Sequence, residues 1–374
     1  MYNKVCFLAG NFYKNVTGGA ELQMYYLAQE LIKKGCEVHY LTTDVKSNEM
    51  NVENKIIVHG VEKGNTKFVK NLLDDISPDL LYLRSRNTNI SFYMKAVLSS
   101  NIPYIYAFAT DIHVNKYYTI GEMWKYFFSG KFYILLKFFK LYNEDRLFLN
   151  FLKNAIVITT QNKFQYQGAI KLLNREINVL IQRNIFNHDV KHKKERFNDV
   201  INIVWIANIK PHKRPEIFLK LAQKLKFNNV NFMMVGRCTD DDLILKIQKF
   251  EQKNINFNFL GKVSQEKVFE ILEGADIFIN TTEPGLEGFP NSFIQAWFYS
   301  IPVISLDIDP DELIVKNDLG FYANSSVVEL INLTSNLILD HNLRKQLSEN
   351  SFKFASQNFS VKNYEEMFNF LKLD

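Results

Sequence analysis

The stretch Thr281–Gln295, TTEPGLEGFPNSFIQ, narrows the possible folds more than any other part of the chain. It follows GADIFIN (Gly274–Asn280), an apolar run that reads as a short buried strand, and it leads into Ser292–Tyr299, where Phe293, Ala296 and Trp297 have helical spacing. A strand, a glycine-bearing crossover and a helix start in that order form the repeating unit of an open α/β sheet. In such sheets ligands sit beyond the carboxyl ends of the strands, where helix N-termini direct amides and a positive dipole end at anions. The crossover is therefore a candidate phosphate site, and Glu287 lies beside the ligand it would hold.

The same rhythm runs through both halves. KVCFLAG (Lys4–Gly10) reads as a buried strand, and TGGAELQMYYLAQELIKKG (Thr17–Gly35) as a glycine-led helix stopped by Gly35. Gly18 and Gly19 at that helix start would let a ligand approach the backbone. The pair is not the GxGxxG pattern, so no nicotinamide site is read here. With 374 residues, 47% hydrophobic and 23% charged, the chain can bury two cores of ordinary domain size. The expected architecture is two parallel sheets, each covered by helices. The polar, basic stretch His188–Asp199, HDVKHKKERFND, interrupts the apolar pattern and places the expected boundary, giving 1–187, 188–360 and a C-terminal helix over 361–374.

EGFPNSFIQ resembles the donor-site signature of retaining family-4 glycosyltransferases, the glycosyl transferases group 1, which have the GT-B fold: two Rossmann-like domains whose parallel sheets face a central cleft. The resemblance implies that Glu287 contacts hydroxyls of a donor sugar and that amides from Gly288 through Phe289, Asn291 and Ser292 hold the diphosphate. The family's second glutamate is Gln295 here, a neutral side chain that can still bond a ribose diol. Pro290 has no N–H, which moves the phosphate contacts onto Asn291 and Ser292. WIANIKPHKRPEIFLKLA (Trp205–Ala222) is similar to the strand, loop and helix that carry the family's arginine and lysine clamp. Lys213 takes the lysine position and Asn208 the arginine position, so Lys210, Arg214 or Arg237 would have to supply a second charge. The likeness continues through Met233–Gly236, Phe259–Asp276 and Gly320–Ala323. By the same resemblance, Gly18 and Gly19 face the diphosphate, the first domain takes the acceptor, the second binds the nucleotide-sugar, and the C-terminal helix crosses back onto the first domain.

Asp111 and His113 follow the apolar strand YIYAFATDIHV (Tyr104–Val114), which resembles the position where family members place a histidine or acid near the transferring sugar. Arg84 and Arg86 follow another such strand, Asp79–Arg86, and could meet an anionic acceptor. Cys6, Cys36 and Cys238 are too scattered for a disulfide framework or zinc site. No DxD-like aspartate cluster follows a nucleotide-binding strand, so a metal-independent enzyme without further cofactor is expected, its charge stabilisation resting on amides and Lys213. VCFLAG is too short for a signal-peptide core, and no stretch reaches the ~18 apolar residues of a membrane span.

The net charge of +5 is unevenly spread. From Glu122 to Glu144 no acidic residue intervenes, while Lys125, Lys131, Lys137 and Lys140 alternate with aromatics, and Phe128, Phe132, Leu135, Phe139 and Tyr142 share a helical face. That pattern suits either the first domain's core or the surface of an anionic membrane. The reading is a cytoplasmic enzyme, peripheral at the inner membrane face, that moves a hexose-type unit from a nucleotide-sugar to a glycan or lipid-diphosphate acceptor in polysaccharide assembly; nucleic acid is not an expected partner. Two alternatives stand beside it: a nucleotide-sugar 2-epimerase of the same architecture, whose acid and histidine motifs are not found, and a catalytically silent binding subunit, suggested by Asn208 and Gln295.

Overall fold

A computed structural model describes residues 2–15, 18–86, 91–121, 134–174, 178–188, 190 and 200–373. The chain divides into two compact units, one formed by Met1–Ile185 with Val361–Asp374, the other by Phe186–Ser360. The basic stretch His188–Asp199 lies outside the described residues except for His188 and Val190.

The first unit is built on strands β1 (Lys4–Ala9), β2 (Glu37–Thr42), β3 (Met50–Glu53), β4 (Ile56–Gly60), β5 (Leu80–Arg84), β6 (Tyr104–Ala107), β7 (Val157–Thr160) and β8 (Val179–Ile181), ordered β3-β4-β2-β1-β5-β6-β7-β8. All neighbouring pairs are parallel except β3 with β4. That exception is a hairpin: its two loop residues, Asn54 and Lys55, have φ of 47° and 66°, the pair of left-handed conformations that a two-residue turn of type I′ requires. The sheet has helices on both faces, so its strands read as unbroken apolar runs rather than alternating ones. Along β1, Cys6 and Leu8 face one core with Leu73, Tyr93, Phe148 and Phe151, while Val5 and Phe7 face the other with Met24, Leu27 and Leu31. Tyr364, Met367, Phe368 and Leu371 of the C-terminal segment complete that second core.

The second unit holds β9 (Ile201–Ile206), β10 (Val230–Val235), β11 (Phe257–Gly261), β12 (Ile277–Asn280), β13 (Val303–Ser305) and β14 (Gly320–Tyr322), ordered β11-β10-β9-β12-β13-β14 with every pair parallel. The chain leaves β9 in one direction and returns on its other side at β12. The loops after these two strands therefore flank the topological switch point, where a doubly wound sheet opens to a ligand. Gly236, just past β10, has φ of 151°, and a Cβ there would run into the Ala207 carbonyl. Only glycine allows the ends of β9 and β10 to come so close.

Of the acid-free segment 124–142, residues 124–133 lie outside the described part. From residue 134 the chain forms the helix Ile134–Asn154. Its C-terminal half buries Phe148, Phe151 and Leu152, whereas Phe138, Phe139 and Tyr142 are 39%, 59% and 36% exposed, and Lys140 is exposed beside them. The described part of the aromatic stripe is thus surface rather than core. No helix among the described residues is long and apolar enough to cross a membrane.

Candidate functional site

The two loops at the second unit's switch point are joined by their own side chains. β9 ends at Ile206; the chain then passes Asn208 and makes a single 3-10 turn over Pro211–Lys213 before the helix Pro215–Lys224 begins. After β12 it runs through Thr281–Pro290 into the helix Asn291–Phe298. The buried Trp205 indole donates to Thr281 Oγ1 at 2.9 Å, and that hydroxyl donates to the Lys213 carbonyl at 2.6 Å. The Glu283 amide donates to the His212 carbonyl at 2.8 Å. These bonds fix the relative height of the loops, and the Lys213 ammonium meets the Glu287 carboxylate in an ion pair.

Lys213 is only 9% exposed. Burial, with the charge of Lys210 acting in the same direction, pulls its ammonium down to about 7. The carboxylate in contact with it is its counter-charge. A buried lysine paired with one partly exposed carboxylate can trade that partner for another anion. Lys210 and Arg237 are exposed, and Asn208 is half-buried on the β9 loop.

Phe289 anchors the crossover: its ring is buried 6.1 Å from Trp297 and 5.2 Å from Phe359, so what it and Gly288 can offer a ligand is backbone. Pro290 caps the following helix without a side-chain hydrogen bond, and Asn291 and Ser292 stand half-buried in its first turn. Gln295 sits one turn further on and is 9% exposed. Glu287, Gly288, Phe289, Asn291, Ser292 and Lys213 are thereby gathered at one end of one sheet.

In the first unit, the helix Gly19–Lys33 starts with Gly18 as its cap, and the Glu21 carboxylate folds back onto Gly18, where a Cβ would strike it. A carboxylate at the positive end of a helix is favourable, and an anionic ligand approaching Gly18 and Gly19 would have to displace it. The spacing of Gly18 and Glu21, that of a capping box, was the signal available in the sequence.

Asp111 Oδ1 accepts from Asn162 Nδ2 at 2.9 Å and Gln165 Nε2 at 3.0 Å. His113 is 5% exposed, its Nδ1 without a hydrogen-bond partner among the described residues and its ring edge-on to Tyr118, and burial pulls it down to about 3. It is therefore neutral at neutral pH and set in the interior. Arg84 donates to Asn184 Oδ1 at 2.7 Å. Arg86 pairs with Asp145, donates to the carbonyls of His113 and Asn115, and lies 4.0 Å over the Phe148 ring. Both arginines are buried, so Arg86 in particular serves its own unit's interior.

Residues 187–354, nearly all of the second unit, match the family described as Glycosyl transferases group 1. The chain is 28% identical over 188 residues to the uncharacterized glycosyltransferase MJ1069 of Methanocaldococcus jannaschii, a match covering 48% of this chain and 47% of that protein. The chain thus spans about half the length of that relative. Among solved structures, Anabaena HepE in complex with UDP and glucose superimposes with a TM-score of 0.74 at 16% identity, covering 99% of this chain and 100% of that one. Sucrose-phosphate synthase from Thermosynechococcus elongatus gives 0.75 at 12% identity over 99% and 98% of the two chains. The fold is GT-B, as the sequence resemblance implied.

Proposed function

We propose that the chain is a retaining, metal-independent hexosyltransferase that takes its donor as a nucleotide-sugar on the second unit and its acceptor on the first. The observation carrying this reading is the Lys213–Glu287 pair set against the first turn of the Asn291–Phe298 helix. A departing nucleoside diphosphate needs positive charge and fixed amides; Lys213, Asn291 and Ser292 offer them. Glu287 would turn from Lys213 to the donor sugar's hydroxyls once the diphosphate takes the ammonium, and Gln295 would bond the ribose. Asp111, oriented by two amide side chains, is the carboxylate assigned to the acceptor side.

HepE has been crystallised with UDP-glucose, which makes uridine the first base to test. Calorimetry with UDP, GDP and ADP, followed by nucleotide release from the matching sugar donor, tests the reading. Binding without release would favour the silent subunit that Asn208 and Gln295 suggest, and binding of none would remove the donor reading. Lys213→Ala weakens the bound diphosphate by about 1.5–3 kcal/mol, the worth of one charge-assisted contact. Lys210→Ala, at an exposed position, has a much smaller effect. A larger loss for Lys210 would mean that the β9 loop presents the other lysine to the phosphates.

A glycan acceptor carried on a lipid diphosphate, in cell-surface polysaccharide assembly at the inner membrane face, is the acceptor we favour. The exposure of Phe138, Phe139, Tyr142 and Lys140 supports it, since lysines near an anionic surface contribute about 1 kcal/mol each and aromatic rings add burial among headgroups. The protein is expected to sediment with anionic vesicles and not with neutral ones. Changing Lys131, Lys137 and Lys140 together to glutamate should abolish this without altering the denaturation midpoint. Equal sedimentation with both lipids would defeat the membrane assignment.

A further inference from the structure

We infer that Arg214 is a positioning residue of the donor site and not a second diphosphate clamp, an assignment that rests on the donor reading above. Its backbone is left-handed, with φ 48° and ψ 56°, a conformation side-chain-bearing residues seldom adopt and that persists where surrounding contacts impose it. The contacts are on the guanidinium. Nε donates to the Thr281 carbonyl at 2.7 Å and Nη2 to the Thr282 carbonyl at 3.1 Å. Nη2 also pairs with Asp307, whose other carboxylate oxygen accepts from the Ser325 hydroxyl.

Three loops therefore meet at one side chain, those after β9, β12 and β13, and the loop after β14 joins them through Asp307. Lys213 precedes Arg214 directly, and Glu287 follows Thr281 and Thr282 on the β12 loop, so the guanidinium sets the register in which lysine and glutamate face each other. The Asp307 side chain is 4% exposed and that of Arg214 21%, which makes this an interior tie rather than a surface pair. Nε and Nη2 are engaged by protein oxygens, so in this assignment the phosphate contact falls to Lys213. Lysine cannot reproduce the arrangement, because a single ammonium lacks the planar fork that reaches two carbonyls and a carboxylate together.

The test compares Arg214→Lys, Lys213→Ala and the double variant in the full chain, using whichever of UDP, GDP and ADP the parent binds most tightly, at temperatures where circular dichroism shows each protein folded. Arg214→Lys is expected to weaken binding and lower kcat by about tenfold each. On the Lys213→Ala background it should change binding by less than about twofold, because it acts through that lysine and non-additivity is the mark of a shared contact. If Arg214→Lys does not fold, Asp307→Asn, which keeps its shape and its Ser325 contact, carries the same expectation. A folded Arg214→Lys that binds and turns over within twofold of the parent overturns the proposal. So do losses that multiply with those of Lys213→Ala, which would make Arg214 a direct phosphate ligand. Failure of the donor reading looks different: the parent binds none of the three nucleotides, or Lys213→Ala alone changes nothing.

Discussion

Glu287→Ala is expected to lower turnover of the donor sugar by about 10²-fold or more, equivalent to about 2.7 kcal/mol of transition-state stabilisation. At a pH low enough to keep Lys213 charged, the nucleoside diphosphate should bind this variant as tightly as the parent or more tightly. In the free protein the Lys213 ammonium is neutralised by Glu287, and an incoming diphosphate must compete with that carboxylate; without it the lysine is available. The pH dependence of binding should also shift. Burial and the Lys210 charge already pull the Lys213 ammonium down to about 7 in the parent, and loss of the facing carboxylate lowers it further, so in the variant the proton is lost at lower pH. Only the charged form attracts phosphate, and the fall of diphosphate affinity with rising pH should therefore set in at lower pH in Glu287→Ala than in the parent. Calorimetry at three pH values and a nucleotide-release assay supply both readings. Turnover near the parent's in a folded Glu287→Ala would remove Glu287 from the reaction.

The parallel sheets were legible in the sequence because strands buried on both faces leave continuous apolar runs, as in Lys4–Ala9 and Ile277–Asn280. Helices were legible from spacing: the helix expected over Ser292–Tyr299 from Phe293, Ala296 and Trp297 spans Asn291–Phe298. The antiparallel β3 was not, since Asn54-Lys55 is a weak turn signal beside Asn-Gly, and its left-handed pair emerges only in the folded backbone. In the site, the crossover residues and Lys213 could be named from their order along the chain. The partnerships could not. Nothing local to Asp307 announces a salt bridge to Arg214; Thr281 was in view only as the first residue of a motif, though its hydroxyl joins Trp205 to the β9 loop. Such contacts are set by which strand ends the sheet order brings together, information that no local window contains. The same holds for Arg84, the last residue of β5, and Arg86, just past it, which were read as able to meet an acceptor, whereas the fold buries both.

Arg86 gives the largest expected effect on stability. Its guanidinium is buried among Tyr118, Phe148 and the carbonyls of His113 and Asn115, and Asp145, which is fully buried, is its counter-charge. Asp145 Oδ1 also accepts from the Thr119 amide at 3.1 Å. Burial pulls the Arg86 guanidinium down while Asp145 holds it charged, and arginine has no accessible neutral form with which to escape an apolar site. Asp145→Ala therefore leaves a charge without its partner and an amide without its acceptor, a defect of about 3–5 kcal/mol. Urea denaturation should show this as a lower midpoint, with Lys140→Glu on the exposed part of the same helix as a control that stays within about 0.5 kcal/mol of the parent. Asp145→Asn, which keeps a carbonyl oxygen for Thr119, should lose less than alanine. Replacing the pair together, Arg86→Met with Asp145→Leu, should recover most of the loss, because a buried ion pair exchanged for apolar groups of similar size is often neutral. A midpoint for Asp145→Ala within 1 kcal/mol of the parent would mean that Arg86 reaches solvent or a ligand. The acceptor-facing role read from its place past β5 would then stand again.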